Sequence, residues 1–158
     1  MKEKVAEIMT RDVITVQETD SVLEVAQVFR TKKVAGAPVL NERAELVGVV
    51  SEADILKLLD TYRWYTPILT TLELLQLHQK EPRDIQQDIE KAGATQIREI
   101  MSKDPETVSP DTVIDDAAQI MYLTGFNRLP VLDESGALVG IVTRADILAS
   151  LYEQLEGE

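Results

Sequence analysis

Apolar positions along the chain repeat the spacing of a one-sided helix twice. The run Val22–Phe29 places apolar residues at i, i+3, i+4 and i+7, and Ile114–Met121 does the same later in the chain. This spacing is typical of a helix that buries one face against a core. Asp20 and Thr112 precede the two runs and are the predicted N-caps. We therefore expect one amphipathic helix in each half of the chain.

Short β-branched and apolar runs surround each helix and predict strands. The first half offers Val13 to Val16, Ala37 to Leu40 and Leu46 to Val50, and the second offers Thr107-Val108, Leu129 to Leu132 and Leu138 to Val142. A short lead-in segment, Val5 to Met9 or Ile97 to Met101, comes before each set. A closing helix follows the third strand. The predicted fold is α+β, with the order β-α-β-β-α occurring twice.

The two halves are copies of one unit. A shift of about 92 residues aligns Val5–Leu56 with Ile97–Leu148 without a gap, and roughly 20 of about 52 pairs are identical. This similarity predicts two repeats related by pseudo-twofold symmetry. We predict the division 1–60 for the first repeat, 61–94 for a helical insert and 95–158 for the second repeat.

The insert is too periodic for a disordered linker. Thr66-Pro67 predicts one helix start, and Asp84 is a candidate cap for a second helix over Ile85 to Ala92, ended by Gly93. The aromatic cluster Tyr62–Tyr65 comes just before. It either anchors the insert to the core or forms a dimer contact or a pocket lid.

Each repeat ends in the same junction between a strand and a helix, Gly48-Val49-Val50-Ser51-Glu52-Ala53-Asp54 and Gly140-Ile141-Val142-Thr143-Arg144-Ala145-Asp146. A hydroxyl residue three positions before an acid is the spacing of a helix N-cap. The same geometry suits a nucleoside phosphate, because free N–H groups attract phosphate and a carboxylate accepts from a ribose diol. Both interpretations remain open from the residues alone.

Composition and charge limit the functions that the chain can have. The chain has 158 residues, no cysteine and a formal net charge of −12. The negative charge opposes binding to nucleic acid, which needs a basic face. No apolar run approaches the length of a membrane span, and the N-terminus lacks the apolar stretch of a signal peptide. We expect a cytoplasmic protein without membrane contact.

No catalytic constellation is visible in the sequence. His78 is the single histidine, lies in the insert and has no nucleophile at a meaningful spacing. There is neither a phosphate-binding glycine loop of the Walker type nor a cluster of metal ligands. We predict no enzyme activity, no catalytic cofactor and no metal.

The tandem units resemble a pair of cystathionine β-synthase (CBS) domains, a Bateman module of the stand-alone type. The resemblance covers both repeats and rests on the lead-in ending in Met-(Thr/Ser), the Thr-Val strand, the strand proline and the terminal Gly-h-h-(Ser/Thr)-x-x-Asp motif, where h is apolar. It implies clefts between the repeats that bind AMP, ADP, ATP or S-adenosylmethionine.

The resemblance also implies roles for individual residues. The ribose and phosphate would be held by Ser51, Asp54, Thr143, Asp146, Asn127, Arg128 and Arg144. The adenine would be framed by the backbone around Thr15, Val16, Ala37, Thr107, Val108 and Leu129. The second unit has Asn127-Arg128 shortly before the strand proline, whereas the first has Ala35-Gly36. We therefore expect unequal sites, with the better phosphate site at Arg128.

Two functions follow from this resemblance. The chain is expected to be a regulatory ligand sensor that signals through its conformation or assembly to an unidentified partner protein. The alternative is a structural or protein-interaction module with vestigial pockets. In either case the aliphatic closing helices favour a homodimer.

Overall fold

The computed structural model describes residues 3–61 and 82–157. The first half contains helix α1 (Val5–Ile8), strand β1 (Val16–Gln17), helix α2 (Val22–Lys32), strands β2 (Gly36–Leu40) and β3 (Leu46–Ser51), and helix α3 (Glu52–Thr61). Helix α4 (Pro82–Ala94) and a 3₁₀ turn (Ile97–Glu99) lead into strand β4 (Ser102–Lys103), helix α5 (Ile114–Thr124), strands β5 (Arg128–Leu132) and β6 (Leu138–Thr143), and helix α6 (Arg144–Glu156). The Tyr62–Tyr65 cluster, the Thr66-Pro67 helix start and His78 lie outside the described residues.

The two repeats have the same strand pairing. In the first, β2 is antiparallel to β3 and parallel to β1, while β4 is antiparallel to the other edge of β3. In the second, β5 and β6 form the antiparallel pair, and single bridges replace the two edge strands. The predicted α+β order and the repeat of the same unit are confirmed.

The lead-in segments cross from one repeat to the other. Ser102 in β4 pairs with Val49 of the first repeat, and Thr10 bridges to Ile141 of the second. The side chains follow the backbone, because Val5 is buried with the second-repeat core and Ile97 with the first-repeat core. The two halves are therefore joined by reciprocal exchange. The division at 1–60, 61–94 and 95–158 stays a prediction.

Two equivalent glycines allow this exchange. A Cβ on Gly48 would lie 2.6 Å from the Met101 sulfur and 2.8 Å from the Ser102 carbonyl oxygen. A Cβ on Gly140 would lie 2.5 Å from the Met9 sulfur. The missing side chain thus makes room for the lead-in of the other repeat.

The predicted caps of the amphipathic helices are wrong. Ser21, not Asp20, is the N-cap of α2, and its hydroxyl accepts from the Glu24 N–H at 3.2 Å. The Asp20 carboxylate instead accepts from the Gln17 N–H at 2.8 Å, closing the preceding turn. Helix α5 starts after Val113, without a side-chain cap. The predicted cap, Thr112, accepts instead from the Ser109 N–H.

Other predicted boundaries shift by a few residues. Strand β1 starts at Val16 rather than Val13, and the second-repeat equivalent is a single bridge at Val108. Helix α4 begins at Pro82, so that Asp84 lies within the helix. It also continues through Gly93 to Ala94, because Gly93 does not take the left-handed conformation that ends a helix.

We predict that Gly48→Ala and Gly140→Ala each destabilise the fold by about 1–3 kcal/mol, the usual cost of overpacking. Gly48→Ala should cost more, since its added methyl meets a backbone oxygen at 2.8 Å, whereas the nearest backbone oxygen at Gly140 is 3.1 Å away. The measurement is the free energy of unfolding from urea titration.

Gly93→Ala is the matched control, because its new Cβ would approach nothing closer than the Leu23 Cβ at 3.5 Å. Removing a glycine from a helix should stabilise by about 0.5–1 kcal/mol. Equal stability of all three variants would show that the glycines are not needed for the lead-in contact.

Candidate functional site

The second junction forms a complete capping box at the start of α6. The Thr143 Oγ1 accepts from the Asp146 N–H at 3.2 Å, and the Asp146 carboxylate accepts from the Thr143 N–H at 2.7 Å. The Thr143 hydroxyl also donates to that carboxylate at 2.8 Å. The capping interpretation is therefore confirmed for this junction. A ligand would have to share the carboxylate with these bonds.

The first junction has a looser version of the same arrangement. The Asp54 carboxylate accepts from the Ser51 N–H at 2.9 Å and from the Ser51 hydroxyl at 3.2 Å. Both residues are partly exposed, as are Thr143 and Asp146. Capping and access from solvent thus coexist at both junctions.

The larger cleft at the junctions, cleft A, lies between the repeats and encloses about 620 Å³. It is lined by Thr10, residues 12–14, residues 33–36, Asn127, Arg128, Ile141, residues 143–145 and Leu148. Its volume lies within the range of about 300–1,000 Å³ that is usual for small-molecule sites. Among the described residues that line it, Lys33, Arg128 and Arg144 are cationic and Asp12 is acidic.

The smaller cleft, cleft B, is the pseudo-symmetric counterpart and encloses about 240 Å³. It is lined by Val49, Ser51, Ala53, Asp54, Lys57, Ser102 and residues 124–128. The shift of 92 residues relates Ser51 to Thr143 and Ser102 to Thr10, which line cleft A. Each cleft has one acid in its described lining, Asp12 in cleft A and Asp54 in cleft B, but cleft B has two cations, Lys57 and Arg128, against three in cleft A.

Arg128 lines both clefts. Its guanidinium lies directly over Gly36, where a Cβ would be 2.3 Å from Nη1 and 2.4 Å from Cζ. Gly36 is itself the first-repeat equivalent of Arg128. One repeat therefore supplies the arginine and the other supplies the space that the arginine occupies.

The surroundings of Arg128 combine partial burial with acidic neighbours. Burial lowers the pKa of Arg128 below its ordinary value, while the carboxylates of Asp54 and Glu52 raise it in part. An arginine remains cationic at physiological pH in such a setting. Its charge is partly desolvated and is therefore a stronger partner for an anion than a fully hydrated one.

The structure brings together most of the predicted ribose and phosphate residues. Cleft A contains Asn127, Arg128, Thr143 and Arg144, and cleft B contains Ser51 and Asp54 together with Asn127 and Arg128. Asp146 lies behind Thr143, bonded to it, and is not among the residues lining cleft A. The roles of these residues in binding stay predictions.

The predicted adenine-framing residues lie farther in. Val16, Ala37, Val108 and Leu129 are buried in the two cores, and neither they nor Thr15 and Thr107 line clefts A or B. The wall of cleft A is formed instead by the preceding residues 12–14 and 34–36. Counting along a strand could not distinguish these neighbours, because the register at the cleft depends on the packing of the repeats.

Sequence reasoning did not identify Lys33 and Gly36 as site residues. Lys33 ends α2 in the left-handed conformation, with φ 55°, at the position that Gly125 takes in the second repeat. The exchange of glycine for lysine at equivalent positions was an available signal. The difference between Gly36 and Arg128 was a second signal, because positions that differ between the two repeats indicate where the clefts differ.

Two other properties of the described residues bear on function. Within 3–61 and 82–157, no helix is long and apolar enough to cross a membrane. The same ranges contain no group of three or more histidine and acidic side chains placed to hold a metal.

We predict that Thr143→Ala lowers the free energy of unfolding by about 1 kcal/mol, the usual cost of losing an N-cap. Ser51→Ala should cost less, because the Ser51 hydroxyl bond to Asp54 is longer than its Thr143 counterpart, 3.2 Å against 2.8 Å. Urea titration measures both. The exposed Thr31→Ala on α2 is the control, and a Thr143 variant as stable as this control would contradict the capping role.

Comparison with known proteins agrees with this architecture. The chain is 35% identical over 152 residues to the uncharacterized protein MJ1426 of Methanocaldococcus jannaschii, covering 93% of this chain and 90% of the relative. It is 31% identical over 151 residues to the chloroplastic CBS domain-containing protein CBSX1 of Arabidopsis thaliana, covering 94% of this chain and 64% of that relative.

A solved structure shows the same fold with a nucleotide. The crystal structure of Arabidopsis thaliana CBSX2 in complex with AMP matches with a TM-score of 0.68 and 30% identity, covering 95% of this chain and 96% of the other. The CBS domain family model matches twice, at residues 5–61 and 97–153. With two matched repeats, exchanged lead-ins and a junction motif in each, the chain belongs to the CBS domain family as a CBS pair.

Proposed function

We propose that this chain is a non-catalytic regulatory module that senses an adenosine-type ligand with a phosphate group, AMP first among the candidates. The observation that supports this most is cleft A, where Arg128, Lys33 and Arg144 line one cavity of about 620 Å³. A relative of the same fold, CBSX2, was crystallised in complex with AMP. ADP, ATP and S-adenosylmethionine are the competing ligands.

The cationic lining of cleft A favours phosphate despite the acidic chain. A net charge of −12 repels anions at long range, but charges beyond about 10 Å are largely screened at 0.1 M salt. Inside the cleft the nearby guanidinium groups dominate. Arg128 provides a planar set of N–H donors that suits a phosphate, and Gly36 leaves the space that this group occupies.

Thr143 and the start of α6 give a second group of contacts. The Thr143 hydroxyl lines cleft A at the N-terminus of a helix of 13 residues. Free N–H groups and the helix dipole at such an end attract an anion. Asp146, held behind Thr143, would accept from ribose hydroxyls if the Thr143 side chain rotates away.

Isothermal titration with AMP, ADP, ATP and S-adenosylmethionine in turn tests the proposal. We expect AMP to bind to folded, nucleotide-free protein. Arg128→Gln should weaken that binding by about 1.5–3 kcal/mol, since a charge-assisted bond to phosphate is lost. The control is Arg43→Gln, because Arg43 lies exposed in the turn between β2 and β3.

The ligand panel separates the sensor from the alternative module. Absence of binding by every member of the panel would contradict the sensor and favour an interaction module with vestigial pockets. Equal weakening by Arg128→Gln and Arg43→Gln would place the ligand elsewhere than at Arg128.

We also propose a homodimer formed by α6. Four large side chains on one stripe of this helix are exposed: Leu148 57%, Leu151 42%, Tyr152 61% and Leu155 69%. Their spacing of three, four and seven residues places them on one face, as in paired helices. A contiguous exposed apolar patch of this kind is typical of an interface.

Leu151→Glu should convert the dimer to a monomer, because it places a charge within the apolar stripe. Analytical ultracentrifugation at several concentrations measures the mass. Glu153→Gln, off the stripe on the same exposed helix, is the control and should remain dimeric. A monomeric unmodified chain would contradict the dimer without affecting the ligand proposal.

A further inference from the structure

Among the described residues, clefts A and B share one cationic side chain. Arg128 lines both, whereas Lys33 and Arg144 line cleft A and Lys57 lines cleft B. Asn127 is the other residue common to both linings, and it is uncharged. A phosphate bound to Arg128 in one cleft and a phosphate bound to Arg128 in the other would therefore use the same guanidinium.

Both repeats contribute to the surroundings of Arg128. Gly36 accommodates the guanidinium on the side of cleft A, with the ideal Cβ position 2.3 to 2.7 Å from three of its atoms. Asp54, which lines cleft B, and Glu52 attract it from the start of α3. A Cβ at position 36 would meet the end of the Arg128 side chain, so a second side chain there would require the guanidinium to move.

Withdrawing Arg128 from cleft B makes the lining of that cleft less cationic. When the guanidinium turns to a phosphate in cleft A, the charge of Asp54 is no longer offset by it. A second phosphate in cleft B would then face this carboxylate without the Arg128 guanidinium, with Lys57 as the remaining cation of the described lining. A ligand without phosphate would not face that repulsion.

We infer that the two clefts are negatively coupled for phosphate-bearing ligands, because both use the Arg128 guanidinium, and independent for uncharged adenosine. This inference rests on the proposed function, since it presumes that such ligands enter the clefts. The two ligands would exclude each other by competition for a side chain rather than by contact. By linkage, the weakening is the same whichever cleft fills first.

The test compares cleft B in chains with and without a working cleft A. The double variant Lys33→Glu with Arg144→Glu disables cleft A, and both residues are exposed, so that the fold should persist. We expect the double variant to bind AMP in cleft B with an affinity about tenfold or more above that of the second AMP on the unmodified chain. The gain corresponds to one charge-assisted bond to Arg128. Introduced negative charge would by itself weaken AMP binding, which is the opposite direction.

The same comparison in an Arg128→Gln background isolates the shared residue. There, disabling cleft A should not tighten AMP binding to cleft B. Adenosine should likewise bind with unchanged affinity when cleft A is disabled, both in the chain with Arg128 and in the Arg128→Gln chain. Circular dichroism confirms folding, and Arg144→Glu alone replaces the double variant if the latter is unfolded.

The outcomes separate this inference from the proposed function. AMP affinity in cleft B that is unchanged or weakened when cleft A is disabled, in the chain that retains Arg128, would overturn the coupling and leave the AMP sensor intact. Tightening that persists without Arg128 would overturn the shared-guanidinium explanation. If AMP does not bind to the unmodified, nucleotide-free chain, both the AMP sensor and the coupling between the clefts are contradicted.

Discussion

The contact between each lead-in segment and the junction glycine of the other repeat holds the two repeats together. Neither core is complete within its own half of the chain, since Val5 is buried in the second core and Ile97 in the first. Gly48 and Gly140 make this possible, because a methyl group at either would overlap a methionine. The exchange brings the repeats face to face and thereby forms the clefts between them.

Duplication produces two equivalent clefts, and several substitutions make them different. Arg128 takes the position of Gly36, Lys33 that of Gly125, and Arg144 that of Glu52. In the first exchange, the missing side chain of Gly36 leaves the space that the Arg128 guanidinium occupies. The other two make cleft A more cationic. A global charge of −12 is therefore compatible with one local site for an anion.

Much of the fold follows from the sequence, because an ungapped repeat indicates the same elements twice and the period-3.6 runs identify the helices. The exchange of lead-ins could not be predicted, since Met9 and Met101 are equivalent and fit either repeat. Of the site, Arg128 and the junction hydroxyls were identifiable as motif residues. The asymmetry at Lys33 and Gly36 was visible in the repeat alignment, but their place in cleft A depends on how the repeats pack against each other.

A crystal structure of this chain with AMP tests the central claim most directly. The geometry predicts AMP in cleft A, with its phosphate within hydrogen-bond distance of the Arg128 guanidinium and the arginine still over Gly36. AMP bound with its phosphate away from Arg128, or an empty cleft A in crystals saturated with AMP, would contradict it.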